Sequence, residues 1–130
     1  MTTLISLAPA RYTLPAMDQI LGQPRAVDVL QASLQSGRLH HAYIFPGPTG
    51  VGKFTTAVAF AQALLCHDRQ TDLTGRVTAC DACASCRLLK AGYVAGAHPD
   101  LHVVVKELAR YSDDKSVRDR KLTTIPFDVL

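Results

Sequence analysis

The segment Gly47-Pro-Thr-Gly-Val-Gly-Lys-Phe-Thr55 has the Gly-x4-Gly-Lys spacing of a phosphate-binding loop. Glycines at 47, 50 and 52 let the chain turn sharply and bring successive backbone N–H groups against phosphate oxygens with no Cβ in the way. Lys53 supplies a point charge, and Pro48, Thr49 and Val51 fill out the loop. A helix starting at Thr55 would place a free helix N-terminus where the anion sits. The residue after the lysine departs from the pattern. Ser or Thr is usual there, with a hydroxyl that ligates Mg²⁺, and this chain has Phe54. Thr55 is no simple replacement, because one further residue along a helix points about 100° away. The residues therefore point to a loop that holds an anion, with ATP/Mg²⁺ binding weak or absent and no catalytic residue assigned. A glycine-rich turn with no ligand is the plain alternative.

A second group of residues could bind a metal. All four cysteines fall within 21 positions, spaced Cys66-x13-Cys80-x2-Cys83-x2-Cys86. Four thiolates satisfy tetrahedral Zn²⁺, and a Cys-x2-Cys turn lets two sulfurs converge on one ion. The same run also begins an iron–sulfur pattern, although Cys-Pro is missing and the fourth cysteine lies upstream. Unliganded thiols are the third reading. A zinc held by four thiolates keeps no position open for water, so the expected role is structural. His40 and His41 are adjacent, cannot easily share one ion, and read as ordinary loop histidines.

The elements that must position these groups follow from pattern. Residues 1–17 contain Pro9 and Pro15 without a sustained period and read as an irregular arm. Pro24 at a first helical position, Ala26, Val27, Leu30 and Leu34 on one face, and Ser36-Gly37 as a stop predict a helix over 24–36. Ala42 to Phe45 predicts a strand into the loop, and Ala57, Val58, Ala61, Leu64 and Leu65 predict the packed stripe of the helix leading out, which ends at Cys66. A polar segment, His67 to Ala79, leads to the cysteines, and a short helix over 88–93 follows, stopped by Gly92 or Gly96. Leu101 to Val105 predicts a second strand, 106–121 a solvated segment, and 123–130 the entry to another helix. The expected class is α/β.

Composition sets outer bounds. At 130 residues, 48% hydrophobic and 19% charged, the chain has the make-up of one ordinary folded unit. A net charge of +3 permits contact with nucleic acid without arguing for it. No stretch approaches the roughly 20 apolar residues of a membrane span, and the start lacks the pattern of a secretory signal. No membrane partner is expected. A cytoplasmic protein is, and in that compartment clustered cysteines read as metal ligands rather than disulfides.

Taken together, Leu21-Gly-Gln23, Gly37-Arg-Leu-His-His-Ala-Tyr-Ile-Phe45, the loop Gly47 to Lys53, Ala63-Leu-Leu-Cys66, the three-cysteine knuckle and His98-Pro-Asp-Leu101 resemble the bacterial DNA polymerase III clamp-loader subunits, within the AAA+ ATPases. The resemblance covers about residues 18–105 and implies a P-loop AAA+ parallel sheet flanked by helices, with an inserted zinc knuckle over about 66–98. It implies that Gln23 belongs to the adenine pocket and that the cysteines hold structural Zn²⁺. Its implied partners are other clamp-loader subunits in a hetero-oligomer, the sliding clamp, and primed DNA through the complex. Motor members of the gamma/tau type keep Ser or Thr after the lysine, whereas delta-prime members commonly lack it, so Phe54 looks like delta prime. The acidic strand end and arginine finger of the family have no counterpart up to Leu130. The expectation is thus an amino-terminal fragment, with 18–130 a partial AAA+ domain. Two other classes remain as alternatives: a P-loop nucleotide kinase with a zinc-bearing lid, and a zinc-dependent nucleic-acid-binding module.

Overall fold

A computed structural model describes residues 14–92, 97–104 and 115. A 3₁₀ turn, Met17–Gln19, precedes helix α1, Pro24–Ser36, and helix α2, Lys53–Leu65. Strands β1, Gln70–Thr71, and β2, Val77–Thr78, form an antiparallel hairpin, and helix α3, Ala84–Gly92, follows.

Helix α1 begins with Pro24 at its first turn and ends at Gly37, whose φ of 66° is the left-handed stop that glycine adopts without steric cost. Its buried face is Val27, Leu30 and Leu34, at the predicted helical spacing. Helix α2 is buried on two sides. Ala59, Phe60 and Ala63 join Met17, Val27, Leu30, Leu34 and Val77 in one apolar cluster, while Val58 packs with Leu14 and Leu89 in a second. The expected stripe of α2 needs correction accordingly: Ala57, Ala61, Leu64 and Leu65 are half-buried, and Thr56, Ala59, Phe60, Gln62 and Ala63 are buried with Val58. A helix lodged between two clusters has no single apolar stripe to read.

Three further expectations are corrected. Helix α2 starts at Lys53, because Gly52 takes a left-handed φ of 91° and caps it there. Helix α3 starts at Ala84, because Arg87 N–H already donates to the Cys83 carbonyl at 3.0 Å. Its described residues run to Gly92, and Tyr93 and Gly96 of the expected helix and its stop lie outside the described residues. The predicted strands at 42–45 and 101–105 carry no sheet ladder among the described residues, whose only sheet is the β1–β2 hairpin. A strand exists only against a partner in register, and none among the described residues flanks these segments. The alternation is nevertheless present: Tyr43 and Phe45 pack on the first cluster, and Ile44 is 89% exposed. Val105, the segment 106–121 apart from Lys115, and the helix entry at 123–130 lie outside the described residues, as do residues 1–13 of the expected arm.

The hairpin lies in a segment that reads only as polar. Asp72 makes its turn, with one carboxylate oxygen accepting from Thr74 N–H, Thr74 Oγ1 and Arg76 N–H at 2.7–2.9 Å. These bonds, the Thr74 hydroxyl first, hold the Asp72 carboxyl below its ordinary pKa. Buried Gln31 of α1 docks the hairpin. Its Nε2 donates to the Val77 carbonyl at 2.9 Å and its Oε1 accepts from Val77 N–H at 2.8 Å, so the amide stands in for a neighbouring strand. Gln31→Ala leaves both backbone groups unpaired in a buried place. It is expected to cost about 1–3 kcal/mol, read as a lowered unfolding midpoint of the intact protein. Gln35→Ala, at an exposed bond to the Gly75 carbonyl, is expected to change the midpoint much less.

Candidate functional site

The phosphate-type loop connects the Tyr43–Phe45 segment to α2. Gly47 has φ 149°, and a Cβ there would meet Val51 Cγ1 at 3.0 Å; Gly50 has φ 83°. Glycine is required at these turns by conformation and space. Lys53 Nζ folds back over the loop and donates to the Gly47 carbonyl at 2.8 Å and the Pro48 carbonyl at 2.7 Å. In the first turn of α2, Thr56 Oγ1 donates to the Gly52 carbonyl at 2.9 Å. Pro48, Thr49 and Gly50 lie exposed on the turn, Thr55 faces solvent, and Phe54 is 48% exposed.

A cavity of about 220 Å³ opens beside the loop. Ala26 and Leu30 of α1, with Tyr43 and Phe45, supply apolar walls, and Gln23, Lys53 and Thr56 supply the polar groups. The structure thus brings Gln23, Val51 and Lys53 together around one space, and leaves Thr55 outside it. Thr56 was not expected there. Its side chain follows Lys53 by three residues, on the same helix face, and that spacing was the available signal.

The cysteines come from three pieces of chain. Cys66 caps the end of α2, Cys80 and Cys83 sit on the turn after β2, and Cys86 lies in the first turn of α3. Their four sulfurs lie within 4.8 Å of one another, with Cys66 Sγ 3.5 Å from Cys80 Sγ and 3.9 Å from Cys83 Sγ. Sulfurs about 2.3 Å from a tetrahedral Zn²⁺ are separated by about 3.8 Å, so the cradle fits that ion. Backbone N–H groups of Cys80, Cys83 and Cys86 point at the sulfurs of Cys66, Cys80 and Cys83 at 3.3–3.5 Å. N–H bonds from Cys86 and then His67 pull the Cys83 thiol down to about 6, while burial pushes Cys86 up to about 12 and also raises Cys66. Two thiols therefore resist ionising without a cation at the centre, and a dication offsets the burial.

Behind the cluster, His98 is buried and joins α3 to the segment after it. Its Nδ1 accepts from Asp100 N–H at 3.1 Å, so Nε2 carries the proton and donates to buried Ser85 Oγ at 2.8 Å. The sequence alone gives Ser85 no role, and His98 enters only within the motif His98-Pro-Asp-Leu101. His40 and His41 are exposed and stand apart from the sulfurs; His40 packs edge-on against Tyr43 at 5.8 Å. No helix among the described residues is long and apolar enough to cross a membrane.

Against known proteins, the family model for DNA polymerase III, delta subunit, matches residues 22–124. The chain is 37% identical over 82 residues to DNA polymerase III subunit delta' of Bacillus subtilis, covering 63% of this chain and 22% of that protein. It is 30% identical over 113 residues to subunit gamma/tau of Mycobacterium bovis, covering 85% of this chain and 18% of the relative. It is 37% identical over 73 residues to subunit tau/gamma of Haemophilus influenzae, covering 56% and 10%. The chain therefore spans about a fifth or less of the length of these curated relatives. No solved structure matches.

Proposed function

The chain belongs to the DNA polymerase III delta-subunit family, and from that membership we propose that it is part of a clamp-loader subunit of the delta-prime type, which helps load a sliding clamp on primed DNA without hydrolysing ATP itself. One observation carries the delta-prime choice: Phe54 stands directly after Lys53, where a hydrolysing site needs the Mg²⁺-ligating hydroxyl. On this reading residues 18–130 are part of an AAA+ P-loop domain preceded by an arm, and the protein works in the cytoplasm with other loader subunits. Gly47 to Lys53 and the cavity beside Gln23 then form a nucleotide site that has kept its cradle and lost its metal ligand. The apolar walls suit a flat base, and Lys53 suits a phosphate. Structural Zn²⁺ on Cys66, Cys80, Cys83 and Cys86 shapes the insertion that follows.

A second reading, the gamma/tau motor, is favoured by the length of the match to the Mycobacterium bovis subunit, 85% of this chain. A reconstituted loader separates the two. With full-length protein carrying Lys53→Ala, the delta-prime reading expects DNA-stimulated ATP hydrolysis by the complex to stay within about twofold of wild type. Loss of tenfold or more, about 1.4 kcal/mol in barrier or beyond, selects the motor reading. Omission of the subunit is expected to abolish clamp loading.

A further inference from the structure

Each partner of one residue on the cysteine turn lies a helical turn away from a cysteine. Asp81 follows Cys80 in the Cys-x2-Cys turn and has a left-handed φ of 61°, alone among the described non-glycine residues. Its Oδ1 accepts from Gln62 Nε2 at 2.7 Å and meets Lys90 Nζ at 3.2 Å, and Lys90 Nζ also donates to the Asp81 carbonyl at 3.2 Å. Gln62 is four residues before Cys66 on α2, and Lys90 is four residues after Cys86 on α3. The helix faces that deliver the two outer sulfurs therefore also hold the turn that carries the two middle ones. Gln62 is 2% exposed, with Val58, Ala59, Phe60 and Ala63 buried beside it in α2, and its amide finds its acceptor in Asp81.

We propose that Asp81, held by Gln62 and Lys90, is the positioning residue of the metal centre: it sets the turn so that Cys80 and Cys83 face Cys66 and Cys86 around the ion. The inference rests on the reading of the cysteines as a zinc site. The Asp81 main chain hydrogen-bonds the Cys86 thiol, and its carboxylate grips Gln62 and Lys90. It acts through the φ it holds and through the two helices it joins. The exposed pair with Lys90 adds little by itself, and the buried amide of Gln62 is the firmer hold.

Substitution at Asp81 separates positioning from turn strain. Glycine relieves a positive φ, so a residue serving only the turn would be improved or unchanged by Asp81→Gly. A positioning residue would be missed. The experiment uses the intact protein as wild type, Asp81→Gly, Asp81→Asn and Gln62→Leu. Zn²⁺ affinity is read by competition with a chromophoric chelator, and Co²⁺ is used as a spectroscopic probe of tetrahedral thiolate ligation. Asp81→Gly and Gln62→Leu are expected to weaken Zn²⁺ binding roughly 10- to 100-fold and to distort the Co²⁺ bands. Asp81→Asn keeps the acceptor oxygen and the tolerance for this φ, and is expected to stay near wild type. Asp81 is exposed, so its variants test the idea even where Gln62→Leu fails to fold. Asp81→Gly binding Zn²⁺ as tightly as wild type overturns the proposal and leaves the zinc reading standing, and so does Asp81→Asn falling as far as Asp81→Gly. A wild-type protein that takes neither Zn²⁺ nor Co²⁺ overturns both.

Discussion

If the four cysteines hold zinc as proposed, stripping the metal from the intact protein with a chelator is expected to melt the cysteine turn and helix α3 while α1 and α2 hold. The two halves are unequally supported. The cluster around Val27, Leu30, Leu34, Ala59 and Phe60 has eight buried members, whereas the cluster that holds α3 has three, Leu14, Val58 and Leu89. A nine-residue helix is too short to persist alone, and burying Leu89 contributes about 1.5–3 kcal/mol. Structural zinc in small domains supplies on the order of 10–16 kcal/mol of apparent binding energy. Without it Cys86 loses its tie to the other three sulfurs. Amide hydrogen exchange is the measurement: chelation should remove protection from 80–92 and leave it over 27–34 and 56–63. Cys83→Ser should do the same without chelator. Unchanged exchange after complete metal removal would sink this account, and iron with a visible charge-transfer band in the purified protein would replace zinc by a cluster.

The other large effect is expected at the loop. Wild-type protein should bind nucleotide without turning it over, and Phe54→Thr should tighten Mg²⁺-ATP by on the order of tenfold through the restored metal contact. Phe54 is 48% exposed, so the position admits the smaller, polar threonine side chain. Hydrolysis is measured with full-length protein, alone and in the assembled loader. Substantial Mg²⁺-dependent turnover by the wild-type chain contradicts the delta-prime reading. Silence from Phe54→Thr despite tighter binding indicates that the acidic strand end of a hydrolysing site is also lost.

How far the sequence was legible depended on whether a feature is local. Helix α1 was readable to both ends because Pro24, the Val27–Leu30–Leu34 face and Gly37 each act within one or two turns. The cysteine cluster was readable from spacing, since short separations force convergence, and so was the curled loop at Gly47, Gly50 and Gly52. Long-range pairing was not. Nothing local tells Gln31 to serve Val77, 46 residues away, or Gln62 to reach Asp81, 19 residues away. The hairpin was missed for the same reason: β1 is exposed and polar, and its position is set by Asp72 and by docking on α1 rather than by alternation. The segments at 42–45 and 101–104 carry no ladder among the described residues, because an apolar, β-branched or aromatic run marks a segment ready for a sheet and does not supply its neighbours.

Helix α2 has a mechanical consequence. It carries the curled loop at Gly52 and the first metal-type ligand at Cys66, and its 13 residues contain neither Gly nor Pro to absorb a bend. At 1.5 Å per residue it is a strut about 20 Å long. Gripped on both flanks near its middle by Val58, Ala59 and Phe60, it pivots rather than flexes. A tilt of roughly 5° about that middle grip swings each end by roughly 1 Å, about a quarter of the spacing between neighbouring cysteine sulfurs in a zinc cradle. The glycine loop and the sulfur cradle are in that sense the two ends of one lever, with Lys53 gripping the loop at one end and Cys66 standing at the other.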